Sequence, residues 1–255
     1  MVLIPLPDND RYCIDERQAT YGEYRQFIKK MGKKFDGQPS ECSWNRDYGP
    51  SEYYLSTTGV MSKREPSLAE ADPDHAVNHL DFCDAWAFCS WAGKRLCGER
   101  GDDPRRIRMF DRDPNDHLGL RTYDWVMPGL NEWLYVCTQG GTSSYPYGED
   151  WKDGVCLDHW KLRAEGPSAL RVRDTAGNEC RGTHPPYDRV FNMIGGVRQW
   201  TNICSSTDGR CQQWGAIDRD WATHCDSAFV MYNMRSATGG VRCCADAVPG
   251  YSDRR

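Results

Sequence analysis

Thirteen cysteines, at positions 13, 42, 83, 89, 97, 137, 156, 180, 204, 211, 225, 243 and 244, carry the most readable chemistry of this sequence. None forms a C-x-x-C, and no histidine pair follows at zinc-finger spacing, which argues against a structural zinc site. Scattered cysteines in a tryptophan-rich chain point instead to disulfides and an oxidising compartment; intracellular thiols are the alternative. The odd count leaves at least one cysteine outside any intrachain pairing. Cys204 and Cys211 enclose a turn-rich loop and form the best local pair. Cys243 and Cys244 point to opposite faces if extended, so they should take different partners. His75 and His79, four residues apart, would align as metal ligands on a helix. Val77 between them and Asp81 after them put them on a strand, as ordinary polar residues. No G-x-S-x-G, phosphate-binding loop or H-E-x-x-H occurs, and no pair of carboxylates stands out for acid–base work.

Composition bounds the frame that must position these groups. The chain has 255 residues, of which 39% are hydrophobic, with 10 Trp, 13 Tyr, 24 Gly and 14 Pro. A core built on aromatics among so many turn formers suits a loop-rich fold better than a helix bundle. The formal net charge is −5 with both signs interspersed, so no basic face for nucleic acid is evident. No run reaches the ~20 apolar residues of a membrane span. The opening, Met1 to Pro7, is too short and lacks the basic start of a signal peptide, so the chain reads as a mature or excised domain.

Residues 2–6 read as an opening strand and Arg11–Asp15 as a second. Thr20 and Glu23 have capping-box spacing, and Tyr21, Tyr24, Phe27, Ile28 and Met31 make one helix face that Gly32 closes. Residues 33–74 read as a surface excursion pinned at Cys42 and Trp44. Asp81–Gly93 is the clearest helix, with Phe82, Ala85, Trp86, Cys89 and Ala92 at 3.6-residue spacing. Residues 99–127 carry mixed charge without apolar periodicity and read as a second insertion, a solvated or partner-binding loop. Leu130–Cys137 resumes helical spacing, with Trp133, Leu134 and Cys137 inward. The stretch from Arg189 to Cys244 organises the rest. Gly195–Gly196 and Gly239–Gly240 each precede Val-Arg, and each pair should bend the backbone, one glycine at φ > 0, into a core strand.

These segments, in this order, resemble the formylglycine-generating enzyme, or sulfatase-modifying factor, family. Its opening I-P…I-D…T…Y-x-x-F finds Ile4, Pro5, Ile14, Asp15, Thr20, Tyr24 and Phe27. Its W-x-D-A-x-A-Y-C-x-W-A-G-K-R-L matches Asp84 to Leu96, after which Cys97 and Gly98 replace Pro-Thr, as suits a cysteine-rich extracellular subgroup. Glu132, Trp133, Gly140, Gly141 and Tyr145–Gly148 match E-W…G-G…Y-P-W-G. The family's G-N-V-W-E-W, R-G-G-S, R and G-F-R fall on residues 195–200, Gln213–Ala216, Arg235 and Gly240–Arg242. The match spans residues 3–244. It implies one domain over 1–255, with insertions at about 33–74 and 99–127, and an irregular, C-type-lectin-like α+β fold stabilised by disulfides.

The resemblance also implies a chemistry, and the departures bear on it. Catalytic members hold Cu(I) between two cysteines just upstream of the closing R…G-F-R and oxidise a substrate cysteine to formylglycine; soft thiolates select Cu(I). Here the two positions fall near Ala222 and Ser227. Cys225 is the lone cysteine of the segment, expected in a disulfide with Cys243 or Cys244. His224, Cys225 and Met231 offer a mixed N/S alternative. Where the family's second calcium loop has Asn, Trp and Glu, Gly196, Arg198 and Gln199 stand, which disfavours a hard cation there. Leu157 and Asp158 could still supply a carbonyl and a carboxylate to a first calcium. The resulting expectation is a secreted, periplasmic or cell-surface binding module for a protein, peptide or glycan, using no nucleic acid and no membrane-spanning segment. A copper-dependent oxidase is the alternative. Trp214, Trp221, Phe229 and Tyr232 are the expected ligand contacts, with core packing the competing role. Arg235 and Arg242 are expected to be structural, Arg242 buried and bonded.

Overall fold

The structure is a computed structural model. It describes residues 1–7, 9–50, 54–55, 61–62, 68–99, 108–110, 131–157, 172, 178–205, 209–215, 224–226, 228–232 and 239–247, with backbone only at 54–55, 61–62, 108–110 and 229–232. Two sheets and three α-helices carry the described core. In the first sheet, β1 (Val2–Pro5) and β2 (Arg11–Ile14) form an antiparallel hairpin, and β2 also pairs with β11 (Cys243–Asp246). β11 in turn pairs with β5 (Arg95–Leu96), so the two ends of the chain share one sheet. The second sheet is built around β7 (Arg198–Ser205) and β8 (Arg210–Trp214), which form an antiparallel pair. β9 (Ala228–Tyr232) adds antiparallel to β8. β10 (Gly239–Gly240) and β6 (Arg108–Phe110) both run parallel to β7. Of the expected insertion at 99–127 only β6 and Glu99 are described, and β6 is a sheet strand. In the other insertion, β3 (Tyr54–Leu55) and β4 (Met61–Ser62) make a two-stranded ladder.

The helices form where caps and apolar spacing agree. Helix α1 (Tyr21–Met31) starts at Thr20, whose hydroxyl accepts from the Glu23 amide while the Glu23 carboxylate accepts from the Thr20 amide. It buries Tyr24 and Phe27, leaves Ile28 and Met31 half-buried, and closes at Gly32, φ 56°. Helix α2 (Phe82–Trp91) repeats the device with Asp81 and Asp84. Of the expected face Phe82, Ala85 and Cys89 are buried, Trp86 is half-buried and Ala92 is exposed, while Ala87 and Phe88 are buried as well. Burial raises the Asp84 carboxyl well above the usual carboxylate range, with Asp81 adding repulsion, while Asn45 donates to it at 3.1 Å. Helix α3 (Glu132–Cys137) is capped by Asn131, and all six of its residues are buried. Glu132 clamps Arg95 through contacts of 2.6 and 2.7 Å, fixing α3 to β5.

Six disulfides join these pieces: Cys42–Cys83, Cys89–Cys243, Cys97–Cys244, Cys137–Cys225, Cys156–Cys180 and Cys204–Cys211. Cys13 is buried and lies outside these bonds. The local pair 204–211 forms as expected, and Cys243 and Cys244 do take separate partners. Cys225, expected on one of those two, bonds Cys137 instead, because α3 is the element packed beside it.

The two glycine pairs differ in kind. Gly195 and Gly196 adopt φ 77° and 72°, as expected. Gly239 and Gly240 are absent from the positive-φ residues, which corrects the expectation for that pair. Their requirement is space: a Cβ on Gly240 would lie 2.5 Å from the Val77 carbonyl oxygen and 2.5 Å from Val197 Cγ2. A Cβ on Gly239 would overlap the Gln213 amide and the Trp200 indole. Gly240→Ala is therefore expected to lower stability by about 1–3 kcal/mol through overpacking. A thermal melt of that variant matching the parent would show that β10 shifts freely on β7.

Candidate functional site

The described half of the site lies where α3 ends. Thr138 terminates the helix, its Oγ1 donating to the Leu134 carbonyl at 2.8 Å and accepting from the Gly141 amide at 3.0 Å. The chain then turns through Gln139, Gly140 and Gly141, all at positive φ, and brings Ser144 back against Cys225. The Cys225 amide donates to the Ser144 carbonyl at 3.0 Å, and the Cys137–Cys225 disulfide locks the two segments. Between them opens a cleft of ≈ 410 Å³ lined by Thr138, Gly141, Thr142, Ser143, Ser144, Glu149, His224, Cys225 and Asp226.

Its polar groups are largely positioned. The Glu149 carboxylate accepts from the Ser144 amide and from Ser144 Oγ, each at 3.0 Å. His224 Nε2 lies 3.1 Å from the Tyr145 hydroxyl, and the two rings are 4.7 Å apart. Tyr145 stacks on Tyr147 at 5.5 Å with an interplanar angle of 8°, and Trp151 packs on Tyr145 at 5.6 Å. The Tyr145 phenol is held above its ordinary pKa, by burial first and then by the carboxylates of Asp226, Glu149 and Asp150. It therefore remains a neutral hydroxyl at neutral pH. Trp151 is 41% exposed, an unusual exposure for a side chain of its size.

Near the start of α3, Trp133 joins a buried polar hub. Gln199 Oε1 accepts from Trp133 Nε1 at 3.0 Å and from Arg242 Nε at 2.7 Å. Its amide donates to the Met193 carbonyl at 3.1 Å and the Asn192 carbonyl at 3.4 Å. Arg242, 1% exposed, also donates to the carbonyls of Asp15 at 2.7 Å, Phe191 at 2.5 Å and Asn192 at 3.2 Å. Burial pulls its pKa down to about 9, against which the Asp15 charge acts. With so many acceptors on its forks it stays a cation at neutral pH. Gln199 stands where the resemblance places a glutamate, and it serves here as a neutral crosslink.

Other expected site residues disperse. Trp214 is 1% exposed, packed on Trp133 at 5.6 Å with its Nε1 on Gln212, so it is core and makes no ligand contact. Both faces of β8 are covered, since Cys211 through Trp214 are all buried. Cys225 is oxidised and presents no thiolate. His224 is exposed on the cleft wall. Phe229, Met231 and Tyr232 lie on β9, with side chains outside the described residues. Trp221, Ala222, Ser227, Arg235 and Asp158 also lie outside them. The Leu157 carbonyl accepts from the Gly196 amide at 3.3 Å. His79, at φ 60°, is buried and its pKa is lowered by desolvation, while His75 faces Asp72 at 3.6 Å. Among the described residues no group of three or more His, Cys, Asp or Glu side chains could hold a metal. Sequence reasoning missed Trp151 and Glu149, which stand in an irregular loop with no periodicity to mark them.

Fold and hub together define a mixed α/β protein with little helix, braced by disulfides and closed by a buried arginine. Residues 8–246 match the family described as Sulfatase-modifying factor enzyme 1-like domain, and the chain belongs to that family. It is 23% identical over 226 residues to the formylglycine-generating enzyme of Bos taurus, which covers 76% of this chain and 49% of that protein. The chain thus spans about half the length of that curated relative. Among solved structures it is similar to PvdO from Pseudomonas aeruginosa, with a TM-score of 0.52 at 14% identity, covering 96% of this chain and 90% of that one. CarF also aligns, with a TM-score of 0.48 at 14% identity, over 93% of this chain and 87% of that chain.

Proposed function

We propose that this chain is a non-catalytic binding or scaffolding member of its family, working outside the cytosol. The observation that carries the reading is the Cys137–Cys225 disulfide. In the segment where the family resemblance places two copper-binding thiolates, the sequence has Ala222 and Ser227, and the single cysteine between them is bonded to α3. Cu(I) needs soft donors, and the nearest nitrogen donor, His224, is held by Tyr145. Six disulfides support an oxidising compartment, hence a secreted, periplasmic or cell-surface location. No helix among the described residues is long and apolar enough to cross a membrane. Of the two residues expected at a first calcium, only Leu157 lies among the described residues, and its carbonyl accepts from the Gly196 amide.

Family membership keeps one competitor, a copper-dependent oxidase acting on a peptide cysteine. Titration of Cu(I) against a competing chelator, followed by aerobic incubation with cysteine-containing peptides, separates the two. The expected result is no stoichiometric tight copper and peptides of unchanged mass. Tight, stoichiometric Cu(I) lost on Cys225→Ser, with conversion of the peptide cysteine, would establish the oxidase and end the binding-module reading.

A further inference from the structure

We propose that the cleft beside the Cys137–Cys225 disulfide takes an uncharged saccharide, with Trp151 as an aromatic platform on its rim. The inference deepens the binding-module reading and rests on it. The cleft's volume of ≈ 410 Å³ falls within the ~300–1,000 Å³ of small-ligand sites.

The lining selects the chemistry. It offers hydroxyls from Thr142, Ser143 and Ser144, the carboxylates of Glu149 and Asp226, and the His224 ring. Among the described residues no Lys or Arg side chain lines it, so a sulfated, phosphorylated or carboxylated ligand would meet two carboxylates with no compensating cation from these residues. An apolar ligand would desolvate those same carboxylates for no hydrogen bond in return. A free ammonium fits less well than a polyol. Both Glu149 oxygens already accept from Ser144, and the face of Tyr147 already has the Lys152 ammonium 5.9 Å from its ring centroid. A sugar satisfies all of these groups at once. Its hydroxyls donate to the carboxylates and to the lone pairs of the Thr142 and Ser144 oxygens, whose own protons go to the Gln139 carbonyl and to Glu149, and its C–H face lies on an aromatic ring.

The platform is also held ready. Trp151 packs on Tyr145, which stacks on Tyr147 and contacts His224, so Tyr145 links the exposed ring to a residue of the cleft lining. The disulfide and the Cys225 to Ser144 hydrogen bond fix both banks of the cleft, which lowers the ordering a ligand must impose.

Saturation-transfer NMR and calorimetry on the purified chain test this. The probes are N-acetylglucosamine oligomers, mannotriose and lactose as neutral sugars, sialyllactose and a heparin tetrasaccharide as anionic ones, and a lysine-containing pentapeptide. At least one neutral sugar should bind, and Trp151→Ala and Asp226→Asn should each weaken it by about tenfold with the melting temperature retained. Binding of none of the neutral sugars, preference for the anionic ones, or affinity surviving both substitutions would overturn the assignment. Trp151-dependent binding of the peptide alone would sink the saccharide while keeping the binding module. Conversion of a cysteine peptide is a separate readout that bears on the module itself.

Discussion

Arg242→Ala should destabilise the protein by about 3–5 kcal/mol, among the largest losses a single side chain here can produce. The side chain is enclosed and donates to three backbone carbonyls and Gln199. Those carbonyls come from β2's exit at Asp15 and from the loop at Phe191 and Asn192, segments that the Phe191 amide also joins by donating to the Glu16 carbonyl at 2.7 Å. Truncation leaves them in the core without this donor, at about 1–3 kcal/mol for each group that finds no other. At ~2–4 °C per kcal/mol for a chain of this size, the melting temperature should fall by roughly 10 °C. Arg242→Lys should recover only part of the loss, because a point ammonium cannot span acceptors that a planar fork reaches. A parent-like melt for Arg242→Ala would show that the hub is dispensable and that the closing segment is peripheral.

The second large effect is the Cys89–Cys243 bond, which ties α2 to β11 across a sequence separation of 154. In a Cys97→Ala, Cys244→Ala background, where no parallel bond closes nearly the same stretch, replacing both residues by alanine should cost about 2–5 kcal/mol, because the bond then restricts the unfolded chain over a long loop. The same exchange at Cys204 and Cys211, with a separation of 7, should cost less, about 2 kcal/mol in the same chain-entropy account. Denaturant unfolding of the two double variants gives the comparison. Equal losses, or the larger one at 204–211, would mean that native packing around the sulfurs outweighs loop closure.

Local chemistry explains which parts were legible in the sequence. Thr20 with Glu23 and Asp81 with Asp84 announce their helices because a cap needs only neighbours three residues apart. The opening hairpin and the buried Arg242 were legible through pattern and resemblance. The partner of Cys225 was not, since it lies 88 residues away and depends on where α3 packs. Gly239 and Gly240 looked like bend formers, yet their glycine requirement comes from Trp200, Gln213, Val77 and Val197, which only the folded sheet brings near. Trp214, expected as a ligand contact or core, is core for a similar reason: both faces of β8 are covered in the folded sheet, and it packs on Trp133.

Peptide mapping without reduction tests the central claim most directly. The native chain is alkylated, denatured, alkylated again with a second mass label, digested and read by mass spectrometry. A linked pair of peptides carrying Cys137 and Cys225, with Cys13 as the labelled cysteine, is the predicted result. Cys225 carrying either label, or linked to Cys243 or Cys244, would restore a thiol or a different geometry to the segment and contradict the non-catalytic reading.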